Sequence, residues 1–298
     1  MIRKESLPKV LLLLAAFVFF SANTVYFLED PNGPVLASID RNYHLNFDTV
    51  EKGPWLNLKA AVLVNADNGD VLYAKNADQP RPVASITKLV TAMVVIDHKV
   101  PLDSIVEITK EDAFRSSKSR LSRGFELTVL DLLYSALMNS DNRAARALAR
   151  ATCGDIDEFV REMNRKVQRL GLENTVFCEP TGLDEKNVST AHEVAKILHY
   201  AYDYKLIKKI TSQKRYRVKI QNKKNTYRQM SNTNLMVYSK YKVLAGKTGF
   251  IREADHCLTT LLQNKKGEKL TLVVLGVPGD KLRFREARRL ADWGFNKI

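Results

Sequence analysis

The strongest constraint on the fold is that strand patterns lie at both ends of the chain, with helical patterns between them. Residues 59–65 (KAAVLVN) and 71–74 (VLYA) are β-rich and flank a DNGD sequence that is typical of a hairpin turn. Three more strands are predicted near the C-terminus, over residues 243–250, 256–263 and 269–277. Because helices separate the two groups of strands, we expect one sheet to be assembled from both ends of the domain.

The middle of the chain is predicted to be helical. The helical stretches cover residues 85–97, 128–150, 156–170 and 190–204, and a closing helix covers residues 281–293 and ends at Gly294. Ser189 or Thr190 is the expected N-cap of the fourth helix. We therefore predict an α+β fold with an antiparallel sheet built from both ends of the domain, flanked by helices, and a helical lobe beside it. The 298 residues, 45% of them hydrophobic, suffice for such a core.

The N-terminal region is predicted to carry an export signal. Three cations precede an apolar run over residues 10–20, which is shorter than the roughly 20 residues that span a bilayer and is typical of a signal peptide. Phe20 fits poorly into a cleavage site, so a retained N-terminal anchor is the alternative. We predict a signal peptide or anchor over residues 1–28, a linker over 29–56, and one compact domain over 57–298 that lies outside the cytoplasm.

The chain is strongly basic, with a net charge of +14. Export argues against nucleic acid as the partner of this charge. Part of the charge is predicted to lie on a solvated β-hairpin or loop edge, where it prevents edge pairing. Attraction to an anionic wall polymer or to lipid head groups is the alternative, as a weak association with the wall or the membrane. The local cluster, which contains no acidic residue, consists of Lys214, Arg215, Arg217, Lys219, Lys223, Lys224 and Arg228.

One motif places a serine three residues before a lysine. Ser85 and Lys88 would share one face of a helix, so the hydroxyl and the amine can meet. A serine needs a base to become a nucleophile, and burial by the apolar residues 89–96 would lower the pKa of the lysine enough for this role. Alone the motif is not specific, because residues 239–242 (SKYK) also match it.

Two further motifs follow in the chain. SDN comes after an apolar helix and contributes Ser140, which could relay a proton to a leaving amine, and Asn142, which could hold a substrate amide. KTG lies within a predicted strand, where Lys247 and Thr248 offer a cation and a hydroxyl to a carboxylate. Gly249 would let a substrate strand lie close to the backbone. S-x-x-K, S-D-N and K-T-G are the set found in class A β-lactamases and penicillin-binding proteins.

The chain resembles the D-alanyl-D-alanine peptidases of family S11, the low-molecular-mass penicillin-binding proteins, over residues 57–298. The active-site segment of that family is similar to residues 82–89 (PVASITKL). The likeness is closest to the endopeptidase branch, the penicillin-binding protein 7/8 type. Further segments typical of the family are residues 174–183, 187–191, 232–234 and 291–295.

This resemblance implies a periplasmic serine D,D-peptidase that hydrolyses D-alanyl bonds of peptidoglycan through an acyl-enzyme on Ser85. The expected substrate is the stem peptide, β-lactams would be covalent inhibitors, and no cofactor is expected. Threonine is usual two residues after Gly249, but this chain has Ile251 followed by Arg252, so one hydroxyl contact to the substrate carboxylate is absent. The implied site consists of Ser85, Lys88, Ser140 and Asn142 as catalytic residues and Lys247, Thr248, Gly249 and Phe250 as substrate-binding residues, with the N–H groups of Ser85 and Phe250 as the oxyanion hole.

Several alternative functions are compatible with the sequence. The same site could act as a D-alanyl-D-alanine carboxypeptidase that trims pentapeptides. A class A-like β-lactamase would need a glutamate that activates the deacylating water, and Glu179 lies near the required place. A non-catalytic wall-binding protein is a third alternative. A Ser-His-Asp hydrolase is disfavoured because no G-x-S-x-G sequence is present. No metal site is predicted, because His192 and His199 are not accompanied by acidic or cysteine residues at metal-ligand spacing.

Overall fold

The computed structural model describes residues 43–114, 116 and 119–298. The predicted signal peptide or anchor (residues 1–28) and residues 29–42 of the predicted linker lie outside the described residues. Within the described part of the chain, no helix combines the length and the apolar character needed to cross a bilayer.

A five-stranded antiparallel sheet forms the centre of the domain. Its strands are β1 (Ala60–Asn65), β2 (Val71–Lys75), β9 (Lys242–Ile251), β10 (Asp255–Gln263) and β11 (Lys269–Val277). They lie in the order β2-β1-β11-β10-β9. The N-terminal strand β1 pairs with the C-terminal strand β11, with Ala60 opposite Leu275. The prediction of one sheet assembled from both ends of the chain is therefore confirmed.

Both faces of the sheet are buried, which explains the nearly continuous apolar runs of its strands. In β1, Val62 and Val64 contribute to the core that the sheet shares with the helical lobe, whereas Leu63 contributes to a second core on the opposite face. Helix α5 (Ala191–Asp203) packs on the first face and helix α7 (Asp280–Phe295) on the second.

The helical lobe lies beside the sheet. It comprises α1 (Lys88–Asp97), α2 (Val129–Met138), α3 (Asn142–Cys153), α4 (Ile156–Arg169) and α6 (Lys205–Ser212). Helix α1 contacts each of the other helices of the lobe. All but the last two residues of α1 are buried.

The structure corrects three predicted helices. The stretch over residues 128–150 is two helices, because Ser140 has a left-handed backbone with φ of +59° between α2 and α3. The stretch from residue 85 starts as the 3-10 turn Ala84–Thr87, and α1 begins only at Lys88. Helix α7 continues through Gly294 to Phe295; a Cβ at Gly294 would lie 2.3 Å from Leu63 Cδ2, so this glycine allows close packing on β1.

Within the described residues, three two-stranded pairs complete the fold. These pairs are β3 (Arg81–Pro82) with β6 (Val188–Ser189), β4 (Ile105–Glu107) with β5 (Glu126–Thr128), and β7 (Arg215–Lys219) with β8 (Tyr227–Ser231). The predicted basic hairpin is present as β7 and β8, but helix α6 and the other two pairs were not predicted.

The last part of the predicted linker packs against the domain. Asn46 forms a parallel bridge with Asp70, and the backbone N–H of Glu51 donates to the carbonyl of Leu72 at 3.0 Å. Leu56 is fully buried. The boundary predicted at residue 57 therefore lies inside the packed structure.

Candidate active site

The first motif is held in a tight turn at the start of α1. Ser85 lies in the 3-10 turn, in which residues three apart are nearly eclipsed, so that its side chain and that of Lys88 meet. Lys88 Nζ lies 2.8 Å from Ser85 Oγ. The predicted meeting of the hydroxyl and the amine is confirmed. Ala84 just before them has a left-handed backbone, with φ of +48°.

Lys88 is fully buried and surrounded by oxygen atoms. Besides Ser85, its Nζ donates to Asn142 Oδ1 at 2.7 Å and to the carbonyl of Thr181 at 2.5 Å. Burial lowers the pKa of Lys88 to about 7, although the carboxylates of Glu179 and Asp141 oppose this decrease. An amine with such a pKa is largely neutral slightly above neutral pH and can then accept a proton.

The second motif is positioned by its middle residue. The buried Asp141 carboxylate caps α3 by accepting from the N–H of Arg143 at 3.0 Å and of Ala144 at 3.2 Å. It also accepts from Ser119 Oγ at 2.7 Å. Together with the left-handed turn at Ser140, these hydrogen bonds hold Ser140 and Asn142 at the cleft. Asp141, to which the sequence analysis assigned no role, therefore has a structural one.

The third motif lies on β9 and contacts the second. Lys247 Nζ lies 2.8 Å from Ser140 Oγ and donates to the carbonyl of Thr248 at 2.8 Å. Burial, with Lys88 and Arg283 as further positive charges, lowers the pKa of Lys247 well below its usual range. Thr248 Oγ1 lies 2.6 Å from the hydroxyl of Thr233, a residue to which the sequence assigned no role.

Two glycines allow the backbone segments of the site to approach each other. A Cβ at Gly249 would lie 2.8 Å from the carbonyl oxygen of Val83 and 3.1 Å from Ser85 N. A Cβ at Gly182, which has φ of +80°, would lie 2.0 Å from the carbonyl oxygen of Ala84. The Ser85 turn is therefore enclosed between the edge strand β9 and the loop that carries Thr181.

These elements border a cleft of about 600 Å³. Ser85, Ser140, Asn142, Thr248 and Gly249 all line it, so the structure brings the three motifs together. Lys88 and Lys247 lie beneath its surface, fully buried or nearly so.

The far wall of the cleft combines apolar and cationic groups. The Phe250 side chain is 54% exposed and stacks on His256 with 4.3 Å between ring centroids. Ile251 is nearly buried, so the hydroxyl usual in the family is replaced by aliphatic surface. Arg283 of α7, which also lines the cleft, donates from Nη1 to the carbonyls of Gly249 at 3.0 Å and Cys257 at 3.1 Å. Nothing in the sequence near Arg283 indicates this position, because helix packing alone brings it there.

Glu179 does not face the cleft as a free base. Its carboxylate accepts from the backbone N–H of Thr181 and of Leu183, each at 2.8 Å, and from Asn187 Nδ2 at 3.0 Å. The N–H of Gly182 donates to it as well. The carboxylate thus holds the loop in shape and presents the Thr181 carbonyl to Lys88, which does not suit a glutamate that activates a deacylating water.

The second S-x-x-K match has a different environment. Ser239 Oγ accepts from the N–H of Tyr241 at 3.2 Å, and Lys242 is exposed at the start of β9. The Lys242 side chain lies in solvent, whereas the Lys88 side chain is enclosed by protein. Only tertiary burial distinguishes the two matches.

Known proteins are similar to this chain in sequence and in fold. The family model described as D-alanyl-D-alanine carboxypeptidase, peptidase S11, matches residues 48–279. Two D-alanyl-D-alanine endopeptidases are similar in sequence: that of Escherichia coli at 37% identity over 82% of this chain and 79% of its own, and that of Pseudomonas aeruginosa at 38% over 78% and 76%. The crystal structure of the DD-transpeptidase of Streptomyces K15 superposes with a TM-score of 0.75 at 28% identity, covering 83% of this chain and 100% of its own. With most of its length matched in this way, the chain belongs to the S11 family of serine D-alanyl-D-alanine peptidases.

Proposed function

We propose that this S11 peptidase is an exported D-alanyl-D-alanine endopeptidase that cleaves peptidoglycan cross-links through an acyl-enzyme on Ser85. The observation that carries the proposal is the 2.8 Å contact between Ser85 Oγ and Lys88 Nζ, with Lys88 fully buried. The names of the two relatives from E. coli and P. aeruginosa support the endopeptidase assignment.

Acylation begins when neutral Lys88 takes the proton of Ser85 as Oγ attacks the D-alanyl carbonyl carbon. The N–H groups of Ser85 and Phe250 stabilise the oxyanion of the tetrahedral intermediate. Collapse breaks the peptide bond. The proton that Lys88 took from Ser85 passes to the leaving amine through the hydroxyl of Ser140, which lies 2.8 Å from Lys247 Nζ, and Lys88 is neutral again. The product is an ester between Ser85 and the acyl strand.

Deacylation reverses these roles with water in place of the amine. Lys88 takes a proton from water, the resulting hydroxide attacks the ester carbonyl, and Ser85 Oγ leaves with that proton. Asn142 holds the substrate amide, and Lys247, Thr248 and Gly249 bind the peptide along β9. A β-lactam would acylate Ser85 in the same way and, since Glu179 is engaged by its own loop, would leave slowly.

The carboxypeptidase alternative uses the same residues and differs only in the leaving group. A terminal D-Ala leaves in one case and the amine of a second strand in the other. The description of the matching family model supports this second candidate. Product analysis with a pentapeptide monomer and a cross-linked dimer distinguishes the two, and we expect the dimer to be cleaved faster.

We also propose that the enzyme acts in the periplasm. The cationic start and apolar run over residues 10–20 support export, and an uncleaved segment would retain the enzyme at the inner membrane. The basic surface supports a weak association with the wall or the membrane. Fractionation of expressing cells, with N-terminal sequencing of the product, tests the location and the cleavage.

The nucleophile is tested by substitution of each serine of the two S-x-x-K matches. We expect Ser85→Ala to abolish covalent labelling by fluorescent penicillin and Ser239→Ala, the matched control, to leave labelling unchanged. Normal labelling of folded Ser85→Ala would rule out the assignment. Rapid turnover of a chromogenic cephalosporin by the parent protein would favour the β-lactamase alternative instead.

A further inference from the structure

The positive charge of the chain is concentrated in one segment. Residues 204–252 contain 14 of the 47 Lys and Arg residues and none of the 33 Asp and Glu residues. The rest of the chain has 33 residues of each sign and so has no net charge. The segment comprises α6, the β7–β8 hairpin and β9, and its last residue, Arg252, lines the catalytic cleft.

The β7–β8 hairpin has one apolar face and one cationic face. Val218 and Met230 are fully buried, and Tyr216 stacks on Tyr134 of α2 with 3.5 Å between ring centroids. Because side chains alternate along a strand, the opposite face points to solvent. This cationic face consists of the exposed residues Arg215, Arg217, Lys219, Tyr227 and Gln229, with Lys223 and Lys224 in the turn.

Aromatic rings orient several cations of the hairpin. The Arg217 guanidinium lies 4.8 Å from the ring centroid of Tyr227, and Lys223 Nζ lies 5.6 Å from that of Phe125. No carboxylate of the described residues forms a salt bridge with a cation of this face. A cation held by a ring keeps its full charge, whereas an ion pair would neutralise it, so the positive field of the face is preserved.

The hairpin is directly connected to the catalytic cleft. Thr233, two residues after the end of β8, contacts the hydroxyl of Thr248 and donates from its N–H to the carbonyl of Met138 at 3.0 Å. Met138 ends α2 two residues before Ser140. From the pair Arg215–Ser231 to the pair Lys219–Tyr227, the ribbon extends about 13 Å from this point.

We propose that the cationic face of the β7–β8 hairpin is an accessory binding surface for the anionic stem peptides of the peptidoglycan strand whose cross-link occupies the cleft. This inference rests on the proposed function. Stem peptides carry free carboxylates at intervals along the polymer, and the face presents cations about 7 Å apart along β7 without a competing acid. The surface would retain the polymer near Ser85 while one link after another is cut.

Two simpler explanations of the face account for less. Solubility needs charge but not a single sign, and the five unbalanced cations of this face repel one another in the folded state. A polybasic face also attracts anionic lipid. However, the hairpin exposes no aliphatic side chain that could enter a bilayer, and the cleft beside it receives a polymer.

The test uses two variants of the full chain with equal loss of charge. The hairpin variant carries Arg217→Gln, Lys219→Gln and Lys224→Gln. The matched control carries Lys52→Gln, Lys265→Gln and Arg288→Gln, three exposed cations outside the basic segment. Binding is measured by co-sedimentation with purified sacculi and, separately, with vesicles containing one third phosphatidylglycerol, at low and high salt.

We expect the hairpin variant to bind sacculi roughly tenfold more weakly, since each exposed charge contributes modestly. The control variant should bind as the parent does, and the parent's binding should weaken as salt screens the charges. Cleavage of a small soluble cross-linked dimer and acylation by penicillin should be equal in all three proteins. Those two assays test the proposed function independently of binding to sacculi. A failure of the proposed function would therefore be distinguished from a failure of this inference.

Equal sacculus binding by the hairpin variant and the parent would overturn the proposal, as would equal losses in the hairpin and control variants. A loss seen only with vesicles would also overturn it and would assign the face to the membrane.

Discussion

Acylation by penicillin should depend steeply on pH, because Lys88 must be neutral to take the proton of Ser85. The perturbation is a change of pH from 8 to 5. Since burial lowers the pKa of Lys88 to about 7, the neutral fraction falls from roughly 90% to about 1% over this range. We therefore expect the second-order acylation rate to fall about 100-fold, with a midpoint near pH 7.

Two substitutions that shift the pKa of Lys88 in opposite directions would assign this pH dependence to Lys88. The Glu179 carboxylate raises the pKa of Lys88 and the Arg146 guanidinium lowers it. Glu179→Gln should therefore move the midpoint to lower pH, and Arg146→Gln should move it to higher pH. A charge acting through an effective dielectric constant of about 20 over about 8 Å contributes about 2 kcal/mol, which corresponds to roughly 1.5 pKa units.

The assay is stopped-flow or quenched labelling of the folded enzyme with fluorescent penicillin across pH 5–9. Circular dichroism at each pH verifies that the fold persists. A flat profile between pH 5 and pH 8 would refute the argument that neutral Lys88 is the base. Midpoints that move in the same direction in both variants would show that the pH dependence of acylation belongs to another group, such as the neighbouring Lys247.

Three further predictions concern packing and buried charge. Gly249→Ala places a Cβ 2.8 Å from the Val83 carbonyl oxygen, so β9 must shift away from the Ser85 turn. We expect penicillin acylation to slow by about 10- to 100-fold without unfolding of the protein. An unchanged rate would contradict the close approach of the two backbone segments. Lys88→Met should abolish acylation yet raise the free energy of unfolding at pH 6 by about 2 kcal/mol, measured by urea denaturation. The reason is that burial lowers the pKa of Lys88 from 10.5 in the folded state. Such a lysine destabilises the fold most at pH values below its folded pKa, and progressively less as the pH rises to its unfolded pKa. A gain that grows from pH 6 to pH 9 would have the wrong sign. Gly294→Ala should destabilise the protein by about 1–3 kcal/mol through overpacking against Leu63, seen as a lower Tm, whereas an unchanged Tm would show that α7 can move freely.

Most of the fold could be predicted because its pattern is local. The strands at residues 59–65 and 269–277 are apolar enough to be identified alone, and Thr190 caps α5 as its side chain predicts. What failed was set by tertiary contacts. The left-handed turn at Ser140 divides one apparent helix, and β3–β6 is only two residues long, so neither leaves a periodic signal.

The site was predictable only as residue types. The three motifs identified Ser85, Lys88 and Lys247, but no local pattern distinguishes Lys88 from Lys242, which follows the same spacing after Ser239. The difference is burial. The resemblance marked residues 232–234 as a family segment but gave Thr233 no role, and nothing indicated Arg283. Both residues reach the cleft from distant elements.

The sequence by itself determined which groups can react, the order in which they occur along the chain and the strands and helices that carry them. Tertiary structure alone decided that the Lys88 amine is buried among the oxygens of Ser85, Asn142 and Thr181. It also decided that the Glu179 carboxylate accepts hydrogen bonds from its own loop. It also decided that the basic residues form one open face beside the cleft. The reason is that proton affinity and electrostatic field depend on burial and on distances between atoms, which residues far apart in the chain acquire only when they pack together.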